Sequence, residues 1–260
     1  MRRRFGPVVL AAAALVALTA APASAITNGV PDGTAHPEVG ALIADTVFSD
    51  GTWAYCSGTL IAPTVVVTAA HCGDPGQTTA RVSFSTHYHD GDTVYVGDWV
   101  PDPSYRKAQS DPFDIAVVVL HTPVVGITPA RLPAAGLLDR LKADGTLATA
   151  TFTSVGYGSL LPVNGPGGKT YTYTDTRNVA HGSLNSLTPA WLRLSQNAST
   201  GNGGTCYGDS GGPNFLGDGA SAVLVANTIT GDTACRSTNV DYRLDTEPAR
   251  AFLGQFVALP

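Results

Sequence analysis

The chain has 260 residues, of which 13% are charged and 43% hydrophobic, and its formal net charge is −5. This length allows one large domain or two small ones with a sizeable core. The negative charge argues against nucleic acid or an anionic membrane surface as a partner.

The first 25 residues have the pattern of a secretory signal peptide. Three arginines at positions 2–4 precede an apolar run at 8–21, and residues 23–25 read ASA. The apolar run is too short to span a membrane. We expect cleavage after Ala25 and a secreted chain without a membrane partner. The four cysteines of such a chain predict two disulfides, for which three pairings are possible.

From Ile26 onward, short apolar runs alternate with Gly, Pro, Asp and Asn, a pattern typical of an all-β chain. The strands predicted for a first half are 39–47, 58–62, 65–69, 81–84, 93–96 and 115–120. Those predicted for a second half are 149–155, 171–179, 191–194, 221–230 and 240–244.

Two helices are predicted among these strands. Residues 134–143 form the first, between the two halves, with Leu137, Leu138 and Leu141 on one face and Gly145 as a stop signal. The second is amphipathic, follows a candidate N-cap at Thr246 and should dock on a barrel. It has Pro248 in its first turn, and its apolar face consists of Ala249, Phe252, Leu253, Phe256 and Val257.

His71 is the most informative histidine in the chain. It follows the predicted strand 65–69 and precedes Cys72. A catalytic base must be held still, and a disulfide from Cys72 to a neighbouring strand would achieve this. Cys56 is the obvious partner, and the loop closed in this way would constrain the unfolded chain by roughly 3 kcal/mol. By itself, however, a histidine beside a cysteine is more often structural.

Asp114 opens the strongly apolar strand 115–120. A carboxylate at the edge of a core is costly unless it accepts hydrogen bonds. One use for such a group is to orient an imidazole through its Nδ1–H. Considered alone, the residue is as well explained by the capping of a turn.

Ser210 lies in a glycine-rich stretch, since residues 208–213 read GDSGGP. A serine becomes a good nucleophile when a base removes its proton and backbone amides stabilise the oxyanion that forms. Flanking glycines let such amides approach closely. The stretch also fits the nucleophile elbow of α/β-hydrolases, but that fold requires a histidine after the serine and all six histidines precede Ser210.

Together the three segments resemble the trypsin/chymotrypsin family of serine proteases. Residues 68–72 read TAAHC, 114–116 read DIA and 208–213 read GDSGGP, in the family's order; 56–60 and 156–158 are similar to its CGGSL and GWG motifs. The resemblance implies an all-β fold of two six-stranded antiparallel β-barrels packed face to face, with a C-terminal α-helix. The implied divisions are an N-terminal barrel at 26–133, a linker helix and C-terminal barrel at 134–245, and the helix at 246–260.

The resemblance also implies roles for individual residues. Ser210 is the nucleophile, His71 the base and then the acid, and Asp114 the group that orients the imidazole. Backbone N–H groups of Gly208 and Ser210 form the oxyanion hole. The activity implied is that of a serine endopeptidase acting on polypeptides through an acyl-enzyme. We expect no cofactor, and nothing in the sequence demands more than a monomer.

The second disulfide implied by the resemblance is Cys206–Cys235. The implied specificity pocket comprises Gly204, Thr205, Gly231 and Asp241. Gly204 stands where trypsins carry the aspartate that binds lysine or arginine. An apolar substrate residue of medium to large size before the scissile bond is therefore expected. Asp241 could restore a negative charge to the pocket, so a basic preference stays open.

Residues 26–29 read ITNG where the family's mature N-terminus reads IVGG. By resemblance, the Ile26 ammonium pairs with Asp209 inside the protein, where either charge alone would be costly. Because the expected signal-peptide cut itself exposes Ile26, we expect activity on export without a zymogen stage.

Two further features of the sequence allow other interpretations. His87 and His89, with Asp90 and Asp92 nearby, could bind a metal ion, but without a third partner of known geometry we expect a solvated loop and no metal. The alternative function is a protease-like binding module that has lost activity. The intact set of His71, Asp114 and Ser210 argues against this alternative.

Overall fold

The structure is a computed structural model that describes residues 26–106 and 111–260. The predicted signal peptide at 1–25 lies outside the described residues. Within the described ranges, neither α-helix has the length and apolar character needed to cross a membrane.

Six antiparallel strands close a first barrel in the order β2-β3-β4-β7-β6-β5. Its interior is filled by branched apolar side chains such as Leu42, Leu60, Val66 and Val118, which are fully buried. The strands up to this point are β1 Val30–Pro31, β2 Val39–Ile43, β3 Ala54–Ala62, β4 Val65–Thr68, β5 Thr79–Ser83, β6 Tyr95–Pro101 and β7 Ala116–Leu120.

A second closed barrel of six antiparallel strands has the order β11-β12-β15-β14-β13-β8, and pairing of β8 with β11 completes it. The short strand β1 adds to β11, and β9 and β10 form a separate hairpin. These strands are β8 Thr151–Gly156, β9 Val163–Gly165, β10 Gly168–Thr170, β11 Asn178–Leu187, β12 Trp191–Ser195, β13 Pro213–Leu216, β14 Val223–Gly231 and β15 Thr238–Arg243. The expected fold of two six-stranded barrels is confirmed.

Both helices are shorter than predicted. Helix α1 is Leu137–Ala143, and it begins late because Gly136 has a φ of 62°, outside the helical region. Helix α2 is Glu247–Leu253; it does begin after Thr246, but the Thr246 hydroxyl donates to the Arg243 carbonyl instead of capping the helix.

An apolar cluster joins the two barrels and receives α2. Phe252 and Leu253 of α2 are buried in this cluster, so the helix docks as its apolar face predicts. Burial of each large side chain contributes roughly 1.5–3 kcal/mol. The barrel residues of the cluster include Val39, Val67 and Val117 from the first barrel and Val155, Phe215 and Leu224 from the second.

The strand predicted at 171–179 is wrong over most of its length, because β11 begins only at Asn178. Residues before it are used to tie the barrels together. Asp175 has a φ of 52° and accepts the backbone N–H groups of Trp53 and Ala54. These bonds hold the segment away from a regular strand pairing. Strand β13 was missed, since it is four residues long and directly follows the glycine-rich stretch.

Candidate active site

His71 is held at one end of the first barrel by a carboxylate on a neighbouring segment. It lies in a 3-10 turn, Ala70–Cys72, after β4. Asp114 is fully buried just before β7, which pairs with β4. One Asp114 oxygen accepts the His71 backbone N–H at 2.9 Å and the other lies 2.8 Å from His71 Nδ1. This arrangement favours the tautomer protonated at Nδ1, in which Nε2 can accept a proton.

Two disulfides fasten the segments on either side of the junction between the barrels. Cys72, next to His71, is bonded to Cys56 in β3 with the Cα atoms 6.2 Å apart. Cys206 is bonded to Cys235 with the Cα atoms 5.2 Å apart, which ties the loop before Ser210 to the segment after β14. Both pairings are those expected from the sequence.

The loop that carries Ser210 packs against the strand that leads to His71. Gly211 has a φ of 76°, and a Cβ there would lie 2.6 Å from the backbone nitrogen of Ala69. The Ser210 carbonyl oxygen lies 3.6 Å from Cys72 Sγ. A side chain at position 211 would force the two segments apart. The structure thus brings the Ser210 loop and the His71 turn together where the barrels meet.

Two backbone amides beside Ser210 are free to bind an anion. Gly208 has a φ of 94°, a conformation that glycine adopts readily. Within the described ranges, neither the Gly208 N–H nor the Ser210 N–H donates to a protein acceptor, whereas the Asp209 N–H between them donates to the Cys206 carbonyl at 3.1 Å. Free amides next to a serine are what an oxyanion hole requires.

Asp209, which precedes Ser210 in the same loop, is completely buried. Its two oxygens accept the Gly158 and Cys206 backbone N–H groups, each at 2.8 Å. A Cβ at Gly158 would lie 2.5 Å from Asp209 Cγ, so the carboxyl group fits only because position 158 is glycine. Burial raises the pKa of Asp209 to about 7, although the two amides lower it. No cation among the described residues pairs with it.

Ile26 lies beside the segment that holds Asp209. It is completely buried, and its nitrogen donates to the Ser159 carbonyl at 3.3 Å. Thr27 and Gly204 exchange backbone hydrogen bonds of 2.8 and 2.9 Å. In the 260-residue chain the Ile26 nitrogen is an uncharged peptide amide, so the ion pair expected with Asp209 is not formed in this structure.

A pocket of about 120 Å³ opens beside Ser210. Two of the expected specificity residues, Thr205 and Gly231, line it. Gly204 instead packs against Gln196, where a Cβ would lie 2.7 Å from Gln196 Cβ.

A buried polar network, which we call the floor network, lies behind Thr205 in the pocket wall. The Thr205 hydroxyl donates to Asn239 at 2.6 Å, and Asn239 donates to Asn214 at 3.1 Å. Asn214 in turn donates to Asp241 at 2.7 Å. Asp241, expected in the pocket wall, therefore lies behind it. Burial raises the pKa of Asp241 well above its ordinary value, which favours the uncharged form of the group.

A family model described as Trypsin matches residues 38–246. The chain belongs to the trypsin family. It is 31% identical over 192 residues to a protein named Trypsin from Saccharopolyspora erythraea, an alignment that covers 69% of this chain and 74% of the relative. A shorter alignment, 42% identical over 73 residues, covers 27% of this chain and 27% of the Vitellin-degrading protease from Bombyx mori. Family membership identifies the protein as a serine peptidase at the level of the family.

The trypsin-family pocket has a charged residue that the sequence did not reveal. Asp232 lines it. The Asp232 carboxylate accepts the backbone N–H groups of Ser237 and Thr238 at 2.8 and 2.9 Å. Burial alone would raise its pKa, but the bonds from Thr238 and Ser237 outweigh burial and lower the pKa. The only signal in the sequence was an acid between a predicted strand and Cys235, which describes many loops.

His87 and His89 lie in a loop away from these groups. Their rings stack with centroids 4.3 Å apart. His87 Nδ1 is 2.7 Å from the Thr176 hydroxyl, and His89 Nδ1 is 3.8 Å from an Asp92 oxygen. In the described part of this trypsin-family chain, no group of three or more His, Cys, Asp or Glu side chains is arranged to hold a metal ion.

Proposed function

We propose that the protein is a secreted serine endopeptidase that cleaves polypeptides, as a monomer, through His71, Asp114 and Ser210. The observation that carries the proposal is the pair of hydrogen bonds that the Asp114 carboxylate accepts from His71, together with the free amides of Gly208 and Ser210. Trypsin-family membership supports the reaction class. The signal-peptide pattern at 1–25 and the two disulfides support export, because disulfides persist in oxidising compartments.

The reaction would proceed in two stages. Ser210 Oγ attacks the scissile carbonyl carbon while His71 Nε2 takes the hydroxyl proton, and the amides of Gly208 and Ser210 stabilise the tetrahedral oxyanion. His71 then protonates the leaving amine as the C–N bond breaks, which leaves an ester on Ser210. A water molecule, deprotonated by His71, hydrolyses this ester and restores the hydroxyl. This route uses no cofactor.

A fluorophosphonate probe tests whether Ser210 is activated. The chain 26–260 should be labelled on Ser210, because the probe reacts with a serine whose proton is removed by a base. The variant Ser210→Ala should not be labelled, whereas Ser199→Ala, which removes an exposed serine elsewhere, should be labelled like the parent. Mass spectrometry of the digest would locate the adduct. A folded parent chain that stays unlabelled would instead indicate an inactive binding module.

The pocket beside Ser210 would receive the substrate side chain before the scissile bond. Its volume of about 120 Å³ is less than the ~150 Å³ that holds a benzene ring in an enclosed apolar cavity. Because the floor network lies behind its wall, we now expect a short side chain such as alanine, serine or valine in place of the medium to large residue expected from Gly204. The raised pKa of Asp241 argues against its supplying a negative charge for a basic substrate residue. The Asp232 carboxylate that lines the pocket already accepts the Ser237 and Thr238 N–H groups.

Cleavage of a peptide library, with the bonds located by mass spectrometry, checks this preference. Short residues should be cleaved at least about tenfold faster than phenylalanine or arginine, a difference of about 1.4 kcal/mol. Asp241→Asn, which keeps the size of an uncharged carboxyl group, should leave the preference unchanged. Cleavage after lysine or arginine that is lost in Asp241→Asn would show that this expectation is wrong and that Asp241 acts in the pocket.

We also propose that cleavage after Ala25 switches the enzyme on. The new Ile26 ammonium would form beside Ser159 and Gly158, the segment that already holds Asp209. An ammonium there would give the buried Asp209 carboxyl the cation that the described chain lacks. Asn28, where the family has glycine, has a φ of 55°, a conformation that asparagine tolerates. The departures from IVGG at Thr27 and Asn28 should therefore not prevent the pairing.

A further inference from the structure

A second cavity meets the Ser210 loop at Gly208 and shares no lining residue with the pocket already described. Its volume is about 350 Å³. We call it the leaving-side pocket and define it by Phe48, Asp50, Tyr55, Tyr173 and Gly208, which all line it. Gly208 carries one of the two free amides, so the cavity begins at the proposed oxyanion site itself.

The position of this pocket relative to the reacting bond follows from the two disulfides. The pocket described above is lined by Cys206 and Cys235. The leaving-side pocket is lined by Tyr55, whose neighbour Cys56 is bonded to Cys72 beside His71. In the proposed function, His71 donates its proton to the departing amine. The substrate segment after the scissile bond therefore leaves along the leaving-side pocket.

The walls of the leaving-side pocket are aromatic. Phe48 is 42% exposed, and Tyr173 lies close enough to Gly208 that a Cβ on the glycine would meet its ring at 3.4 Å. Aromatic faces of this kind attract the alkyl chains and cationic ends of lysine and arginine.

The rim of the leaving-side pocket is negative. Asp50 accepts the Thr52 backbone N–H at 3.1 Å and the Thr52 hydroxyl at 2.7 Å, and these bonds lower its pKa. Nothing else in the described chain forms an ion pair with Asp50. Asp74 lines the adjoining surface groove together with Phe48 and Tyr55. The leaving-side pocket therefore has aromatic walls and, at its rim, carboxylates that form no ion pair among the described residues.

We propose that the leaving-side pocket binds a lysine or arginine side chain of the substrate, located shortly after the scissile bond, and that Asp50 selects for its charge. The inference rests on the proposed function for its orientation along the cleft. The protein would then be a peptidase that selects substrates with a basic residue shortly after the scissile bond and a short residue before it.

The test is peptide binding to the uncleaving variant Ser210→Ala of the chain 26–260. Peptides would share one sequence before the bond and carry lysine, norleucine or glutamate at each of the first few positions after it. Norleucine matches the lysine chain without its charge. At one position, lysine should bind about fivefold more tightly than norleucine, and glutamate should bind more weakly than both. The lysine advantage should shrink as salt is raised.

A matched pair of variants isolates Asp50. Asp50→Asn keeps an oxygen for the Thr52 bonds but loses the charge, and it should abolish the lysine advantage while leaving norleucine binding unchanged. Asp144→Asn is the control, because Asp144 accepts the N–H and hydroxyl of Thr146 in the same way but lies outside the pocket. Asp144→Asn should behave like the parent.

Two results would overturn the proposal: equal binding of lysine and norleucine peptides at every position, or a lysine advantage that survives Asp50→Asn. Parallel cleavage assays with the parent chain keep the two proposals apart. Lysine-selective binding to Ser210→Ala without any cleavage by the parent would retain the pocket and reject the peptidase function. Cleavage by the parent without lysine selectivity would retain the peptidase function and reject the proposed role of the pocket.

Discussion

Replacing Ser210 with alanine is expected to lower kcat/KM by about a million-fold and to leave the fold intact. His71→Ala should cost about as much, because neither residue acts without the other. Asp114→Asn should cost about 10⁴-fold, since an amide cannot accept both hydrogen bonds that the His71 backbone and Nδ1 now donate. The measurement is the initial rate of cleavage of one peptide by each variant.

The double variant and a structural control make this prediction specific. Ser210→Ala with His71→Ala should be no slower than either single variant, because the residues act as one unit. Ser199→Ala should retain parent activity, and thermal unfolding of Ser210→Ala should be similar to that of the parent, since Ser210 is only partly buried. Losses that multiplied in the double variant, or a Ser210→Ala protein that cleaved at nearly the parent rate, would refute the assigned mechanism.

The sequence predicted the parts of this site that lie in continuous motifs. Strands β4 and β7 each contain a run of three valines, which predicts a strand clearly. His71 lies just after β4 and Asp114 just before β7, so both residues could be placed at strand ends from the sequence. The fold of two barrels came from the resemblance that these motifs carry. Local pattern sufficed here because each motif combines a strong strand signal with a functional residue.

The floor network could not be predicted in the same way. Asn239 and Asp241 lie on β15, Asn214 on β13 and Thr205 in a loop, and the residues meet only after the second barrel closes. A single strand shows nothing about which polar side chains will satisfy one another in the interior. For the same reason, the sequence wrongly suggested that Asp241 lies in the pocket wall. In the structure it lies behind Thr205 and Asn239.

Moving the N-terminus by one residue should also lower activity strongly. A chain that begins at Ala25 is expected to have a kcat/KM about 10²- to 4 × 10³-fold below that of a chain that begins at Ile26. The reason is that Ile26 is buried beside Ser159, so the extra residue withdraws the ammonium and leaves Asp209 without a cation. Breaking a buried pair in this way costs about 3–5 kcal/mol, and each 1.4 kcal/mol corresponds to about tenfold. The two chains would be compared on one peptide.

The two chains should also differ in how their stability depends on pH. In the chain without the pair, the pKa of Asp209 is about 7 against an ordinary 3.8, so the native state holds a proton that the unfolded state has lost. The contribution of Asp209 to stability should therefore be greatest below about pH 4 and should fall by about 4 kcal/mol as the pH rises to 7. In the chain that begins at Ile26, the ammonium favours the ionised carboxylate and removes this loss. Denaturant unfolding at a series of pH values measures the difference.

Asp209→Asn separates the ion pair from other effects of the extra residue. In the chain that begins at Ala25, this variant should remove the part of the fall in stability between pH 4 and 7 that Asp209 causes, because that carboxyl group is gone. In the chain that begins at Ile26, it should lower activity toward that of the extended form, because a buried ammonium is then left unpaired. Asn28→Gly, which suits the φ of 55° at that position, should retain full activity and serves as the control. Equal activity of the two parent chains, or an exported protein whose sequenced N-terminus is not Ile26, would show that Ile26 does not control the oxyanion loop through Asp209.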